Sequence, residues 1–180
     1  MSFAPELAAV PGAIGGADDP LPGRAEQIEP FWLAYQRACS VAVEGFSATA
    51  FGHTRLLADE LAERVEAGVK RAHASLLRDF QKDLEPLPAV GDHLVVLDGS
   101  GTPRAIVRTT HVELRHFNEI DDAFAFEAGE GDGSLRWWLA AHRQDYAERA
   151  EREGFEAHEG LELVLESFER VWPPADSGAN

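Results

Sequence analysis

The sequence predicts an α+β protein, a small curved sheet or barrel with helices packed against it. Two observations carry that prediction. Short apolar runs bounded by turn residues read as strands, and longer segments with apolar residues three or four apart read as helices. The two kinds alternate irregularly along 180 residues, about the length of one domain of roughly 100–150 residues. An apolar content of 44% fills a core.

Taken in order, residues 1–27 read as a tail. The segment VPGAIGGADDPLPG is rich in Pro, Gly and Ala and has no period, so it lacks the means to bury itself. The terminal PPADSGAN is similar, which leaves a domain over 28–172 and a second tail over 173–180. Residues 30–39, PFWLAYQRAC, predict a short helix with Pro30 in its first turn. TRLLADELAERVEAG predicts a stronger one: Thr54 is a natural N-cap, Leu57, Leu61 and Val65 recur at spacing four, and Gly68 suits the residue after the helix. Arg64, Lys70 and Arg71 then stand near its C-terminus, where the helix dipole favours cations.

AHASLL predicts a strand. VGDHLVVLDGSGTPRAIVRTTHVEL predicts two strands around the tight turn DGSGTP. LELVLESFERVW predicts a closing strand. Its leucines fall at 161, 163 and 165, then the bulky residues shift to 168 and 172, which predicts a bulge. Before that strand a helix is capped by Asp132 or Ser134. It carries Leu135, Trp138, His142 and Tyr146 on one face and ends at Gly154.

The net charge is −16, which argues against a strong non-specific nucleic-acid binder with a basic face. The charge is uneven. Arg64 to Arg115 holds eight Lys/Arg and seven Asp/Glu, whereas His116 to Trp172 holds five and fifteen. The lone Cys39 excludes an intramolecular disulfide framework and a Cys-rich zinc site. No apolar run reaches the ~18 residues of a membrane span, and no basic segment followed by an apolar one opens the chain. A soluble, cytoplasmic protein is expected.

Chemistry gathers at GVKRAHASLL, residues 68–77. Lys70 serves as nucleophile or base only where burial or a neighbouring cation depresses its pKa; otherwise it and Arg71 cap the helix end. In a regular strand, positions 70 and 73 point to opposite faces, so they converge only if the chain bends after Gly68. His73 suits acid–base work or is a hydrogen-bonded strand histidine. Ser75 suits a phosphate or base edge, or a backbone bond; no GxSxG surrounds it. In EAGEGDGSLRWW, Glu127, Glu130 and Asp132 lie in a glycine-rich loop that brings a carboxylate near a ligand or simply caps a helix. Trp137 and Trp138 cannot both face the core, so one is free to stack on a base. No HExxH, Cys/His spacing or phosphate-binding glycine loop is present, so neither metal nor cofactor is expected.

The blocks FGHTRLLADELAERVEAGVKRAHASLL, PLPAVGDHLVVLDGSGTPRAIVRTTHVEL, FNEIDDAFAFEAGEGDGSLRWWLAAHR and the closing FERVW resemble, in order, the ASCH domain family. The likeness spans about Phe31 to Trp172. It implies a small PUA-like β-barrel with flanking α-helices and a cleft that meets RNA or a modified nucleoside. Small bacterial members include an amidohydrolase acting on 4-acetylcytidine and a ribonuclease. The family's GxKxxT-like element places its lysine on Lys70 and its threonine position on His73, a departure. Its glutamate falls near Glu130, and its FGD reads FGH here, ending in His53. The resemblance therefore implies Lys70, His73 and Glu130 as catalytic, with Arg71, Ser75, Asp132, Ser134 and Trp138 around the ligand. A non-catalytic RNA-binding module and an acidic protein-interaction domain are the other readings.

Overall fold

A computed structural model describes residues 21–43 and 45–174. The expected tails over 1–27 and 173–180 lie largely outside them. Residues 21–27 are built into the domain: Leu21 and Arg24 donate their backbone N–H groups to the carbonyls of Gly99 and Gly101. Helix α1 spans Ala25–Cys39 and buries Ile28, Trp32 and Tyr35. It starts five residues before Pro30, which therefore sits in the second turn, where its ring removes one helical hydrogen bond.

Strand β1 (Ser47–Ala50) follows, then α2 (Arg55–Glu66). The Thr54 hydroxyl accepts from the Leu57 N–H, as the cap residue predicts. Gly68 takes the left-handed conformation. The N–H groups of Gly68 and Val69 return to the carbonyls of Val65 and Arg64, a Schellman closure that points the chain back toward the sheet. Then come β2 (Ala72–Leu76), α3 (Leu77–Asp83), β3 (His93–Leu97) and β4 (Pro103–His116). In the β3–β4 turn the Asp98 carboxylate collects Ser100 and Thr102. A 3₁₀ turn at Phe117–Glu119 leads to α4 (Asp122–Ala128), α5 (Leu135–Glu153) and β5 (Glu162–Trp172).

The five strands form one mixed sheet in the order β1-β3-β4-β5-β2, with β1 parallel to β3 and the other pairs antiparallel. It curls into a half-barrel, flanked by the five α-helices of the described residues. The expected bulge is present in two parts. Val171 is the extra residue on β5 between the pairs Ile106–Trp172 and Val107–Arg170. Thr110 is the extra residue on β4 between Thr109–Phe168 and His111–Ser167.

Core packing follows the two faces of this sheet. One face of β2 and β5 (Ala72, Ala74, Leu76, Leu163 and Leu165) meets α4, α5 and the 3₁₀ turn through Phe117, Phe124, Trp138 and Tyr146. Leu61, Ala62 and Val65 of α2 pack with Phe51, Val96, Val107 and Phe168. Helix α1 covers Val95, Leu97 and Ile106. The candidate site lies where the first two clusters meet, at the α2–β2 handover. No helix among the described residues is long and apolar enough to cross a membrane.

Candidate functional site

Lys70 sits between the Schellman turn and the first residue of β2. It is therefore outside the strand's alternation, and the expected divergence from His73 does not arise. Phe51 lies beneath both: its ring centroid is 5.1 Å from Lys70 Nζ and 4.7 Å from the His73 ring. The Lys70 side chain has no solvent exposure. Its ammonium has three protons to place and has three oxygens to receive them: the Ala72 carbonyl at 2.9 Å, the Ala128 carbonyl at 3.2 Å and Glu130 Oε1 at 2.7 Å.

Glu130 comes from the loop after α4. Asp121 caps that helix by accepting from the Phe124 N–H, and Gly129 ends it at a φ of 61°. The second carboxylate oxygen, Oε2, lies 2.8 Å from Nε2 of His142 on α5. His142 stacks on Trp138 with ring centroids 3.9 Å apart. Burial alone raises the Glu130 pKa, but the Lys70 ammonium and the bond to His142 outweigh it and hold the carboxyl well below the usual range. Glu130 is therefore ionised, and its side chain keeps 11% exposure. Charge, bonding and partial exposure together make it an anchored acceptor at the open edge of the cluster, with the sealed Lys70 behind it.

The remaining expected site residues divide. His73 joins the cluster from β2, but burial and the Lys70 charge push its pKa down to about 3. It is a neutral imidazole at physiological pH rather than a group poised to exchange protons there, and its sealed Nδ1 has no hydrogen-bond partner among the described residues. Ser75 shares the His73 face of β2 one pair further along, opposite Val164, and takes no part in the ion-pair cluster. Arg71 is committed elsewhere. Its Nε and Nη2 reach both Glu127 oxygens at 2.7 and 2.9 Å, and Nη1 donates to the Gly68 carbonyl.

Asp132 and Ser134 form the turn that starts α5. Asp132 Oδ1 accepts from the Ser134 N–H and hydroxyl, and Ser134 Oγ accepts from the Trp137 N–H. The capping alternative thus holds for both. Ser134→Ala should cost about 1 kcal/mol in urea unfolding. Trp138 is 1% exposed and offers no face to a ligand; it is the ring on which His142 rests. Trp137 is the exposed one of the two.

The residue that sequence reasoning missed is His142. It appeared only as a position on the apolar face of its helix. Its one signal was a polar ring four residues after Trp138 on that face. Among the described residues no group of three or more His, Cys, Asp or Glu side chains converges as a metal site would require.

Acid should loosen this cluster. Between pH 6.5 and about 3, unfolding takes up a proton at His73, because only the unfolded chain holds it at the ordinary value. The stability His73 contributes is therefore full above pH 6.5 and falls as pH drops. Below the ordinary glutamate value of 4.5, Glu130 adds a loss of the same sign. His73→Phe should flatten the upper part of the stability curve, removing a loss on the order of 1–2 kcal/mol at pH 5. Urea midpoints between pH 7 and 4 check this.

The curled half-barrel sheet with its flanking helices defines the fold class. The ASCH domain family matches residues 47–172, and the chain belongs to that family. It is 34% identical to an ASCH domain of Lactobacillus crispatus JV V101, over 83% of this chain and 96% of that one, with a TM-score of 0.76. A protein of Enterococcus faecalis V583 shares the fold at 24% identity, covering 87% of this chain and 99% of its own, with a TM-score of 0.75. Among curated proteins none matches significantly.

Proposed function

We propose that this chain binds a nucleobase, in a modified nucleoside or in RNA, at the cluster of Lys70, Glu130 and His142. The observation that carries the reading is the ionised Glu130 carboxylate, fixed at 2.7 Å from Lys70 and 2.8 Å from His142 while still reachable from solvent. Such a carboxylate accepts from an amino or amide N–H on a base edge, as acidic side chains do from cytosine N4. His142, 16% exposed, supplies a second polar contact. The net charge of −16 repels a long phosphate chain outside the cleft, which favours a small nucleoside over extended RNA. The reducing cytoplasm is the setting this reading assumes, in keeping with the free Cys39.

A second reading, hydrolysis of an N-acyl group such as that of 4-acetylcytidine, is favoured by the Lys70–Glu130 contact. Water would add to the amide carbonyl, Glu130 would take the water's proton and return it to the leaving base nitrogen, and Lys70 would face the oxyanion, giving acetate and the free amine. Lys70 must first release one of its two carbonyl partners. Binding without turnover needs no such step, which is why it ranks first.

Calorimetric titration with cytidine, 4-acetylcytidine and a short single-stranded RNA tests the proposal, with chromatography for released cytidine. Saturable nucleoside binding that Glu130→Gln abolishes supports it, and cytidine release lost in Lys70→Ala supports the second reading. No binding of any of the three by wild type overturns both.

A further inference from the structure

We propose that Arg64 is the positioning residue of this cluster, its carbonyl fixing Lys70 and its guanidinium fixing the loop that carries Glu130. Arg64 lies in the last turn of α2. Its carbonyl accepts the N–H groups of Val69 at 2.9 Å and Lys70 at 3.0 Å. Its Nη1 donates to the carbonyls of Gly129 at 2.9 Å and Gly131 at 3.1 Å, the two residues that flank Glu130. The rest of the fork faces the half-exposed Glu60, at 3.0 Å from Nε and 2.8 Å from Nη2, a surface i,i+4 pair of little weight. One residue thus meets two segments 60 residues apart in sequence, its backbone carbonyl holding the first and its guanidinium the second, and each segment supplies half of the ion pair.

The fit between those segments is close. A Cβ on Gly129 would lie 2.3 Å from the Val69 carbonyl oxygen and 2.8 Å from the Lys70 Cα, so small drift of the loop changes the Lys70–Glu130 contact. The guanidinium aims Nη1 at both loop carbonyls while Nε and Nη2 face Glu60, a fixed planar division that a lysine ammonium, a point charge on a flexible stem, matches poorly. With 28% of its side chain exposed, Arg64 is not core filling, and a plain role as a cation at a helix C-terminus would not reach the loop.

The consequence for ligand rests on the binding reading above; the positioning itself does not. The test follows the Glu130 carboxyl and His142 imidazole signals by NMR through an acid titration in wild type, Arg64→Ala, Arg64→Lys and Glu60→Gln. The expected result is a Glu130 midpoint that rises toward the ordinary carboxylate range in R64A, recovers in part in R64K and stays in place in E60Q. A folded R64A whose Glu130 and His142 titrate as in wild type overturns the proposal. Should R64A fail to fold, the same comparison in R64K decides: an unmoved midpoint there, with an ammonium in place of the planar fork, overturns it. Cytidine affinity is the separate arm. A loss of about tenfold in R64A is expected, in line with a charge-assisted bond. A wild type without affinity removes the binding reading and leaves Arg64 to be judged by Glu130 alone.

Discussion

Lys70→Met lowers the unfolding free energy by about 3–5 kcal/mol, the usual cost of removing one partner from a buried ion pair. The substituted side chain fills nearly the same volume, so the loss comes from charge rather than from a cavity. It leaves Glu130 ionised beside His142 alone, and it strips the Ala72 and Ala128 carbonyls of their donor. Each stranded acceptor carries a desolvation penalty. Lys70→Met/Glu130→Leu recovers part of the loss, because it removes the unpaired carboxylate while both carbonyls stay without their donor. Urea unfolding of the three proteins checks both statements. A K70M loss below about 1 kcal/mol would mean that solvent, not the protein, satisfies Glu130.

Gly129→Ala costs about 2–4 kcal/mol. Two terms add. The residue holds a φ of 61°, which costs an alanine about 1–2 kcal/mol. Its Cβ would also strike backbone, at 2.3 Å from the Val69 oxygen, where no flexible side chain can move aside. Gly133 gives the comparison. Its φ is 78°, yet the nearest atom to an added Cβ is Phe126 Cδ2 at 3.9 Å, so Gly133→Ala pays about 1 kcal/mol for conformation alone. The difference between the two variants measures how tightly the Glu130 loop is seated against Lys70. Equal losses would contradict that seating.

Much of the fold was legible because its signals are local. Thr54 and Gly68 bracket α2, Ser134 and Gly154 bracket α5, and DGSGTP joins β3 to β4. β1 escaped notice because SATA is four small residues, and only its parallel pairing with β3 beyond α2 makes it a strand. α4 was hidden by its own pattern: Phe124 and Phe126 alternate as in a strand, while the glycines after them read as loop. The shift of bulky residues in β5 announced an irregularity but not that one extra residue belongs to β4.

The site was legible more unevenly. Lys70 and Glu130 stand among several local candidates, and only the family likeness pairs them, since no local pattern links residues so far apart. Arg71, Asp132 and Ser134 were expected at a ligand, but Glu127 and the first turn of α5 take up their bonds. Sequence shows a side chain's chemistry and hides its nearest partner. The same blindness concealed Arg64, which read as a cation suited to a helix end, and His142, which read as one of a row of apolar positions.

The most direct test of the account is NMR mapping of the wild-type protein during titration with cytidine and with 4-acetylcytidine. The account predicts that the Glu130 carboxyl and His142 imidazole signals move first and saturate, with the Lys70 amide following. Saturable shifts confined to a different surface, or no shifts with either nucleoside or with a short RNA, would contradict it and leave the Lys70–Glu130 pair a purely structural ion pair.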